Sequence, residues 1–282
     1  MKNILVPTDF SVNAYDALFY ATRLYKDIPC TFHLLHASKI HPNRFTGLKT
    51  DLNKTPWGKK TMKKCVQDLV EVKHAIMRDC EGFRHEFDII PMAGELFPAI
   101  ARTTTLKNID MIVMGTQGAT GAKEFFLGSN TVDVISQINQ CPILALPAKK
   151  QPDDPLKIGF PSNLNHFSTR EELAPFIEIS TMHNAEIHIL HVMEAREISD
   201  AQQRNLDQIK AQFKETKLYV KLLPRGKGKA RAISTYIEKE KVSLLVMVNT
   251  SNTIYNRLIR EPVVKRIGFH SNVPFLVMPE AG

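Results

Sequence analysis

Short apolar runs alternate with amphipathic stretches along the first half of the chain. The first strand is predicted at residues 3–6, where three apolar residues follow Asn3. After Ser11, apolar residues recur every three or four positions over about four turns, as an amphipathic helix requires. Apolar runs of this kind, bounded by turn residues, predict buried strands, and the stretches between them predict helices. The pattern predicts further strands at 31–36, 86–91, 111–114 and 141–147, with further helices near 62–80, 96–106 and 130–138.

This succession of strand, helix and strand sets the fold class. Strands separated by helical segments run parallel, and the helices that connect them cover the faces of the sheet. The first half of the chain is therefore predicted to be an α/β domain, with an open twisted sheet of five parallel strands and helices on both faces.

The second half of the chain repeats the pattern of the first. The sequence KNILVPTD at residues 2–9 is echoed by LKIGFPSN at 156–163, and HLLH at 33–36 is echoed by HILH at 188–191. Two further matches follow in the same order, 109–114 with 242–247 and 141–147 with 273–279.

The repeat predicts two tandem domains. A chain of 282 residues is long enough for two domains, each able to bury most of its apolar surface. The stretch 149–155 is polar and proline-containing and cannot hold a core element. We therefore expect a first domain at 1–148, a linker at 149–155 and a second domain at 156–282.

Composition and charge indicate the compartment and the partners of the protein. No run approaches the roughly 18 apolar residues of a membrane helix, and four cysteines without a C-x-x-C pair are typical of core residues in a reducing compartment. A cytoplasmic protein that is neither exported nor bound to a membrane is expected. The formal charge of +8 is spread over both halves without interleaved aromatic residues, so no specific nucleic-acid binding is predicted.

A glycine pattern follows the predicted strand at 111–114. Gly115, Gly118, Gly128 and Ser129 form G-x2-G-x9-G-S. Glycines in such a loop admit positive φ and a close ligand, and the free N–H groups of a helix start favour an anion. The pattern predicts a phosphate cradle. The alternative is that these glycines serve only tight turns.

Together with Asp9 after the first strand and CPILALP at 141–147, this pattern resembles the universal stress protein family. Nucleotide-binding members of that family carry the same glycines and an Asp at the end of the first strand. The resemblance covers almost the whole first half and implies a Rossmann-like strand order of 3-2-1-4-5. It also implies that the first half binds an adenine nucleotide, ATP above all, with or without Mg²⁺. On the matching positions, the nucleotide-binding residues are Pro7, Thr8, Asp9, Ala37, Met114, Gly115, Gly118, Gly128, Ser129 and Asn130.

The strand order brings the two ends of this site together. Asp9 ends the first strand and Gly115 begins the loop after the fourth. Ligands of open α/β sheets bind where the connections of two neighbouring strands leave in opposite directions, as they do here. Asp9 would accept hydrogen bonds from the nucleoside, and Ser129 and Asn130 would donate to phosphates. The alternatives are an N-cap for Asp9 and a helix cap for Ser129 and Asn130.

The second half lacks the motif. Val248 and Ser251 stand where the first half has Gly115 and Gly118, Arg260 and Glu261 replace the glycine and serine, and Asn163 replaces Asp9. This half is predicted to keep the fold without the nucleotide. By resemblance, its closing strand at 275–277 would pair with the one at 143–146, because domains of this family commonly dimerise through this region. The two halves of one chain would then form the dimer internally, and a homodimer of the whole chain is a further option.

Neither a catalytic residue nor a metal ligand is predicted. The chain lacks G-x4-G-K-[ST], and His33 and His36 lie three apart on a strand, so they face opposite ways. A response regulator would need a second carboxylate beside Asp9. The leading hypothesis is a stress-response regulator that binds ATP. The alternatives are a partner-binding scaffold with a vestigial pocket and, third, a slow ATPase.

A final expectation concerns residues 40–60. This stretch contains two prolines and little apolar periodicity. It is predicted to be a mobile excursion that carries Trp57 and flanks the crevice as a lid, because it leaves the carboxyl end of the second strand.

Overall fold

The computed structural model describes residues 1–38, 55–116, 128–148, 156–165, 169–214, 216–226, 228–249 and 273–279. By backbone contacts the chain divides into two compact units. The first contains residues 1–121 and 128–141, and the second contains residues 122–127 and 142–282.

The first repeat alternates strands and helices as its apolar pattern predicts. Its elements are β1 (Lys2–Pro7), α1 (Val12–Leu24), β2 (Cys30–Ser38), α2 (Pro56–Asp79), β3 (Glu86–Ala93), α3 (Leu96–Leu106), β4 (Met111–Gly115), α4 (Ser129–Gln137) and β5 (Ile143–Leu146).

Strand β1 lies at the centre of the first sheet, and the strand order is β3-β2-β1-β4-β5. β1 runs parallel to both neighbours, with Ile4 opposite Phe32 on β2 and opposite Met111 on β4. The side chains of Ile4, Leu5 and Val6 are fully buried, as a strand covered on both faces requires. The predicted α/β class and the strand order 3-2-1-4-5 are confirmed.

The helices of the first repeat form two pairs. α1 contacts α2, and α3 contacts α4. The two histidines of β2 follow this division. His33 lies 3.2 Å from Asp88 of β3, which in turn binds Lys107 at the end of α3. His36 contacts Phe10 in the turn before α1. The prediction that they face opposite ways is confirmed.

The second repeat has β6 (Lys157–Pro161), α5 (Arg170–Met182), β7 (Glu186–Met193), α6 (Asp200–Gln212), β8 (Leu218–Pro224), α7 (Lys229–Glu240), β9 (Leu244–Asn249) and β10 (Phe275–Pro279). Its strand order, β10-β9-β6-β7-β8, is that of the first repeat. β10 runs parallel to β9 on one side and antiparallel to β5 on the other, where Leu276 lies opposite Leu144.

Helix α2 begins earlier than its sequence suggested, and the loop predicted through residue 60 is wrong for its last part. The Thr55 side chain accepts a hydrogen bond from the Gly58 N–H at 3.0 Å, and Pro56 occupies the first helical position. Both are helix-start signals. Trp57 therefore belongs to the first turn of α2. Residues 39–54, which make up most of the predicted lid, lie outside the described residues.

None of the described helices is both long and apolar enough to span a lipid bilayer. All four cysteines are buried and free: Cys30, Cys65, Cys80 and Cys141.

Candidate functional site

The turn after β1 is held by local hydrogen bonds. The Thr8 N–H donates to the Leu35 carbonyl of β2 at 2.8 Å, which extends the strand pairing by one residue. The Thr8 hydroxyl then accepts from the Phe10 N–H, and an Asp9 carboxylate oxygen accepts from the Ser11 N–H, each at 3.0 Å. Phe10 has a φ of 65°, in the left-handed region. The turn therefore fixes Asp9 at the carboxyl end of the central strand.

Asp9 is exposed, and it is not the N-cap of α1. Ser11 fills that role, because its hydroxyl accepts a hydrogen bond from the Ala14 N–H at 3.2 Å. The structural alternative considered for Asp9, a helix cap, is wrong. Its carboxylate instead stabilises the turn through Ser11.

Gly115 ends β4 against the first turn of α1. A Cβ placed on it would lie 2.9 Å from the backbone carbonyl oxygen of Asn13, which is closer than side chains approach backbone. Asn13 is buried. The explanation of Gly115 by a left-handed φ is wrong, because its φ lies outside that region. The close neighbour of Gly115 in the structure is α1, and the close approach of a ligand stays a prediction.

Gly128 closes the loop that begins after β4. Its N–H donates to the Thr116 carbonyl, and a Cβ on it would lie 3.0 Å from that same oxygen. Its φ of −56° is again not left-handed, so tight contact explains this glycine too. The third glycine of the motif, Gly118, lies outside the described residues.

Helix α4 starts directly after Gly128, which offers no side chain to cap it. Ser129 and Asn130 are exposed in its first turn, where N–H groups have no intrahelical acceptor. Thr131 anchors the start, because its hydroxyl donates to the Gly115 carbonyl at 3.0 Å. The structure thus brings the start of α4 to the end of β4, with exposed donors and the positive end of the helix dipole.

The turn after β1 and the start of α4 belong to one edge of the first sheet. β1 and β4 are parallel neighbours, so their carboxyl ends, Pro7 and Gly115, lie on the same side. Pro7 and Met114 are buried, and therefore only their backbone can face this edge. Ala37, half-buried near the end of β2, lies one strand further along.

Two residues that the sequence analysis left out of the site support the turn. His36 holds its Nδ1 2.7 Å from the Thr8 carbonyl oxygen, and its ring lies 4.4 Å from that of Phe10. A carbonyl only accepts, so Nδ1 carries the proton. The signal was available, because the repeated HLLH and HILH place a histidine at this position in both halves.

The second repeat has the same turn with different residues. The Ser162 hydroxyl accepts from the Leu164 N–H at 3.0 Å, and the Asn163 side chain accepts from the Asn165 N–H at 2.9 Å. Leu164 is left-handed, with a φ of 59°, and His191 Nδ1 lies 3.0 Å from the Ser162 carbonyl oxygen. An amide at the position of Asp9 therefore preserves the turn geometry.

In the second repeat, helix α6 covers this turn. The Gln202 side-chain amide donates to the Asn163 carbonyl at 3.0 Å, and the Asn205 amide donates to the Leu164 carbonyl at 2.9 Å. Leu164 is fully buried, whereas its counterpart Phe10 is only half-buried. The protein's own side chains thus occupy the carbonyls of the second turn, a feature that sequence comparison of the halves missed.

The histidines earlier in β2 and β7 do not form a metal site. His33 Nε2 lies 3.3 Å from the Asn3 amide oxygen, and burial lowers the pKa of the ring. His188 pairs with the Tyr236 hydroxyl at 2.6 Å. Within the described part of the chain, no group of three or more His, Cys, Asp and Glu side chains is placed to hold a metal ion.

The parallel strands, the order β3-β2-β1-β4-β5 and the covering helices define a doubly wound, Rossmann-like α/β protein. The chain belongs to the universal stress protein family, whose model matches residues 1–147, more than half of the chain.

One relative is the universal stress protein MJ0577 of Methanocaldococcus jannaschii, which is 27% identical over 157 residues. The aligned part covers 52% of this chain and 96% of that protein.

Two solved structures share the fold over both repeats. A universal stress protein from Archaeoglobus fulgidus is 18% identical with a TM-score of 0.70, and the match covers 99% of this chain and 96% of that one. A functionally unknown protein from Pseudomonas aeruginosa is 14% identical with a TM-score of 0.58, covering 99% and 93%.

Proposed function

We propose that the first repeat binds ATP at the edge where β1 and β4 end. The observation that carries this proposal is the convergence of Asp9, Gly128 and the uncapped start of α4 on that edge. A carboxylate beside a helix start suits a ligand that has hydroxyl groups at one end and phosphates at the other. Membership of the family supports the choice of an adenine nucleotide.

Each end of the nucleotide has its own partners in this proposal. The Asp9 carboxylate accepts hydrogen bonds from the ribose hydroxyls, at a position fixed by the Ser11 N–H. The N–H groups of Ser129 and Asn130 donate to the phosphates, helped by the exposed Ser129 hydroxyl. Gly128 allows the chain to lie close to the Thr116 carbonyl just before α4, because a Cβ on it would crowd that carbonyl. The proposal also includes Gly118 as a phosphate-binding residue and Mg²⁺ as a bound ion, and these two parts rest on the family resemblance alone.

The protein then acts as a regulator whose bound nucleotide changes what it offers to a partner. The second repeat keeps the fold but binds no nucleotide in this proposal. The side-chain amides of Gln202 and Asn205 already hydrogen-bond to the carbonyls of its turn. The antiparallel pairing of β5 with β10 supports an internal counterpart of a family dimer, and a homodimer of the chain is a further proposal. Four free cysteines fit a reducing cytoplasm.

One observation favours the second candidate, a partner-binding module with a vestigial pocket. Gly115 is needed for packing against Asn13 whether or not a nucleotide binds. Its presence therefore supports the ATP proposal less than the sequence motif suggested. Gly128, Ser129 and Asp9 carry the proposal without it.

Mass spectrometry of the nucleotide released from purified protein tests the proposal. The unmodified chain should release an adenine nucleotide, and added ATP should bind more tightly than GTP. Asn163→Ala is the matched control, because it alters the equivalent turn in the second repeat and should leave the released nucleotide unchanged. A chain that carries no nucleotide and binds neither ATP nor GTP would favour the partner-binding module.

A further inference from the structure

A cavity lies on the α2 side of the first sheet, near the carboxyl end of β2. It has a volume of about 430 Å³, within the range of about 300 to 1,000 Å³ that small-molecule sites occupy. Phe10, His36 and Ser38 line it from the sheet side, and Lys60, Thr61 and Lys64 line it from α2. We refer to it as the α2 cavity.

The α2 cavity is separate from the proposed nucleotide position. His36 and Ser38 line the cavity, and successive side chains of a strand point to opposite faces of a sheet. Ala37, which lies between them and is the β2 residue of the proposed nucleotide site, therefore points to the other face. No residue of the α4 start lines the α2 cavity.

One wall of the cavity is aromatic. The rings of Phe10 and His36 lie 4.4 Å apart at an angle of 34°. His36 is fixed in orientation, because its Nδ1–H donates to the Thr8 carbonyl at 2.7 Å. The two rings pack against each other, and both line the cavity, so they give it a fixed aromatic wall against which a planar ring can pack.

The opposite wall is positively charged. Lys60 and Lys64 lie one turn apart on α2, and Asp68 also lines the cavity. Lys64 binds both carboxylate oxygens of Asp68 at 3.0 Å. Lys60 has no ion-pair partner among the residues that the structure describes. One positive charge is left over, and it is available to a ligand.

We propose that the α2 cavity binds a small aromatic carboxylate. The ring packs on Phe10 and His36, and the carboxylate pairs with Lys60 across the cavity, with Lys64 adding to the positive potential. A neutral ring would lack the ion pair, and an anion without a ring would lack the aromatic wall. The proposal does not depend on ATP binding elsewhere in the repeat.

Benzoate is the probe, and benzamide, its neutral analogue, is the ligand control. Titrations of the full chain are followed by ligand-observed NMR. Benzoate should bind, and benzamide should bind at least about tenfold more weakly because it lacks the charge. Absence of benzoate binding, or equal affinity for the two ligands, would overturn the proposal.

The chain offers a matched pair of double variants. Lys60→Gln with Lys64→Gln removes the cavity charges and should weaken benzoate at least about tenfold. Lys59→Gln with Lys63→Gln removes two exposed lysines at the same spacing on the same helix, which do not line the cavity, and should leave benzoate affinity unchanged. Equal weakening by both pairs would mean that only general charge attracts the probe.

A competition measurement locates the probe. Benzoate should stay bound at saturating ATP, because none of the described residues of the proposed nucleotide site lines the α2 cavity. Competitive displacement of benzoate by ATP, with one benzoate released per ATP bound, would place benzoate in the nucleotide crevice and overturn the proposal.

Discussion

Gly115 and Asn13 are in backbone contact that leaves no room for a side chain on Gly115. A Cβ at Gly115 would lie 2.9 Å from the Asn13 carbonyl oxygen and would also meet the buried Asn13 side chain. The first glycine of the motif thus holds α1 against the end of β4. The same contact indirectly supports the site, because α1 follows directly from the turn that carries Asp9.

Gly115→Ala should destabilise the first repeat. The added methyl group meets backbone, so α1 must shift, and overpacking of this kind costs about 1 to 3 kcal/mol in the free energy of unfolding. Urea unfolding followed by circular dichroism measures the change. A variant as stable as the parent would mean that α1 moves freely, and the packing role of Gly115 would be wrong.

Gly128→Ala should cost less stability than Gly115→Ala and should weaken ATP binding. Gly128 has a φ that alanine adopts readily, and among the described residues its Cβ would meet only the Thr116 carbonyl. We expect a loss of stability below about 1 kcal/mol, with weaker ATP binding because the methyl group lies at the start of α4. If Gly128→Ala binds ATP as the parent does, Gly128 serves only the loop.

Asp9→Asn should weaken ATP binding without altering the turn. Asn163 already accepts the equivalent N–H in the second repeat, so an amide keeps the turn intact. The lost charge weakens hydrogen bonds from the ribose, and about 1.5 to 3 kcal/mol, or roughly tenfold to a hundredfold in affinity, is expected. Isothermal titration calorimetry measures the affinity, and an unfolding curve serves as the fold control.

The converse substitution is the matched control for Asp9→Asn. Asn163→Asp restores the carboxylate in the second repeat, yet the Gln202 and Asn205 amides remain on that turn. It should create no second ATP site. A second site in this variant would show that the carboxylate alone decides binding, which would contradict the role given to α4.

His188 should make stability fall on acidification. Burial, followed by the charges of Lys157 and Lys221, holds the pKa of His188 below its ordinary value. The unfolded chain therefore binds more protons than the folded chain as pH falls through about 6.5, and unfolding is favoured. Burial lowers the pKa of His33 and His85 as well, with the same sign.

Urea unfolding at pH 7.5 and 5.5 tests this dependence. His188→Gln should lose less stability than the parent between the two pH values, because its side chain does not titrate. His74→Gln, on the exposed side of α2, should lose as much as the parent. Equal losses in the parent and in His188→Gln would show that His188 does not contribute.

The strands and most helices could be predicted because their signal is local. The helix predicted near 96–106 is α3, Leu96–Leu106, and the strand predicted at 111–114 is β4 with one residue added. The start of α2 was missed although its signal is also local. Thr55 and Pro56 favour a loop when read as isolated turn residues, and they favour a helix start when read as an N-cap followed by proline.

The missed features of the site depend on contacts between distant parts of the chain. The motif identifies Gly115 as special, but only the packing of α1 on β4 shows that Asn13 is the reason. Comparison of the halves finds Asn163 in place of Asp9, but the covering amides come from α6. The capping box formed by Ser199 and Gln202 predicts the start of that helix, but it does not predict that the Gln202 amide reaches the Asn163 carbonyl. Such contacts follow from the assembled fold, and no periodicity in the sequence predicts them.

The stoichiometry of ATP binding to the full chain, measured by isothermal titration calorimetry, shows whether the first repeat alone binds the nucleotide. We predict one ATP per chain, bound by the first repeat and weakened by Asp9→Asn. Two equivalent sites per chain would contradict the covered turn of the second repeat. No ATP binding at all would contradict the nucleotide site of the first.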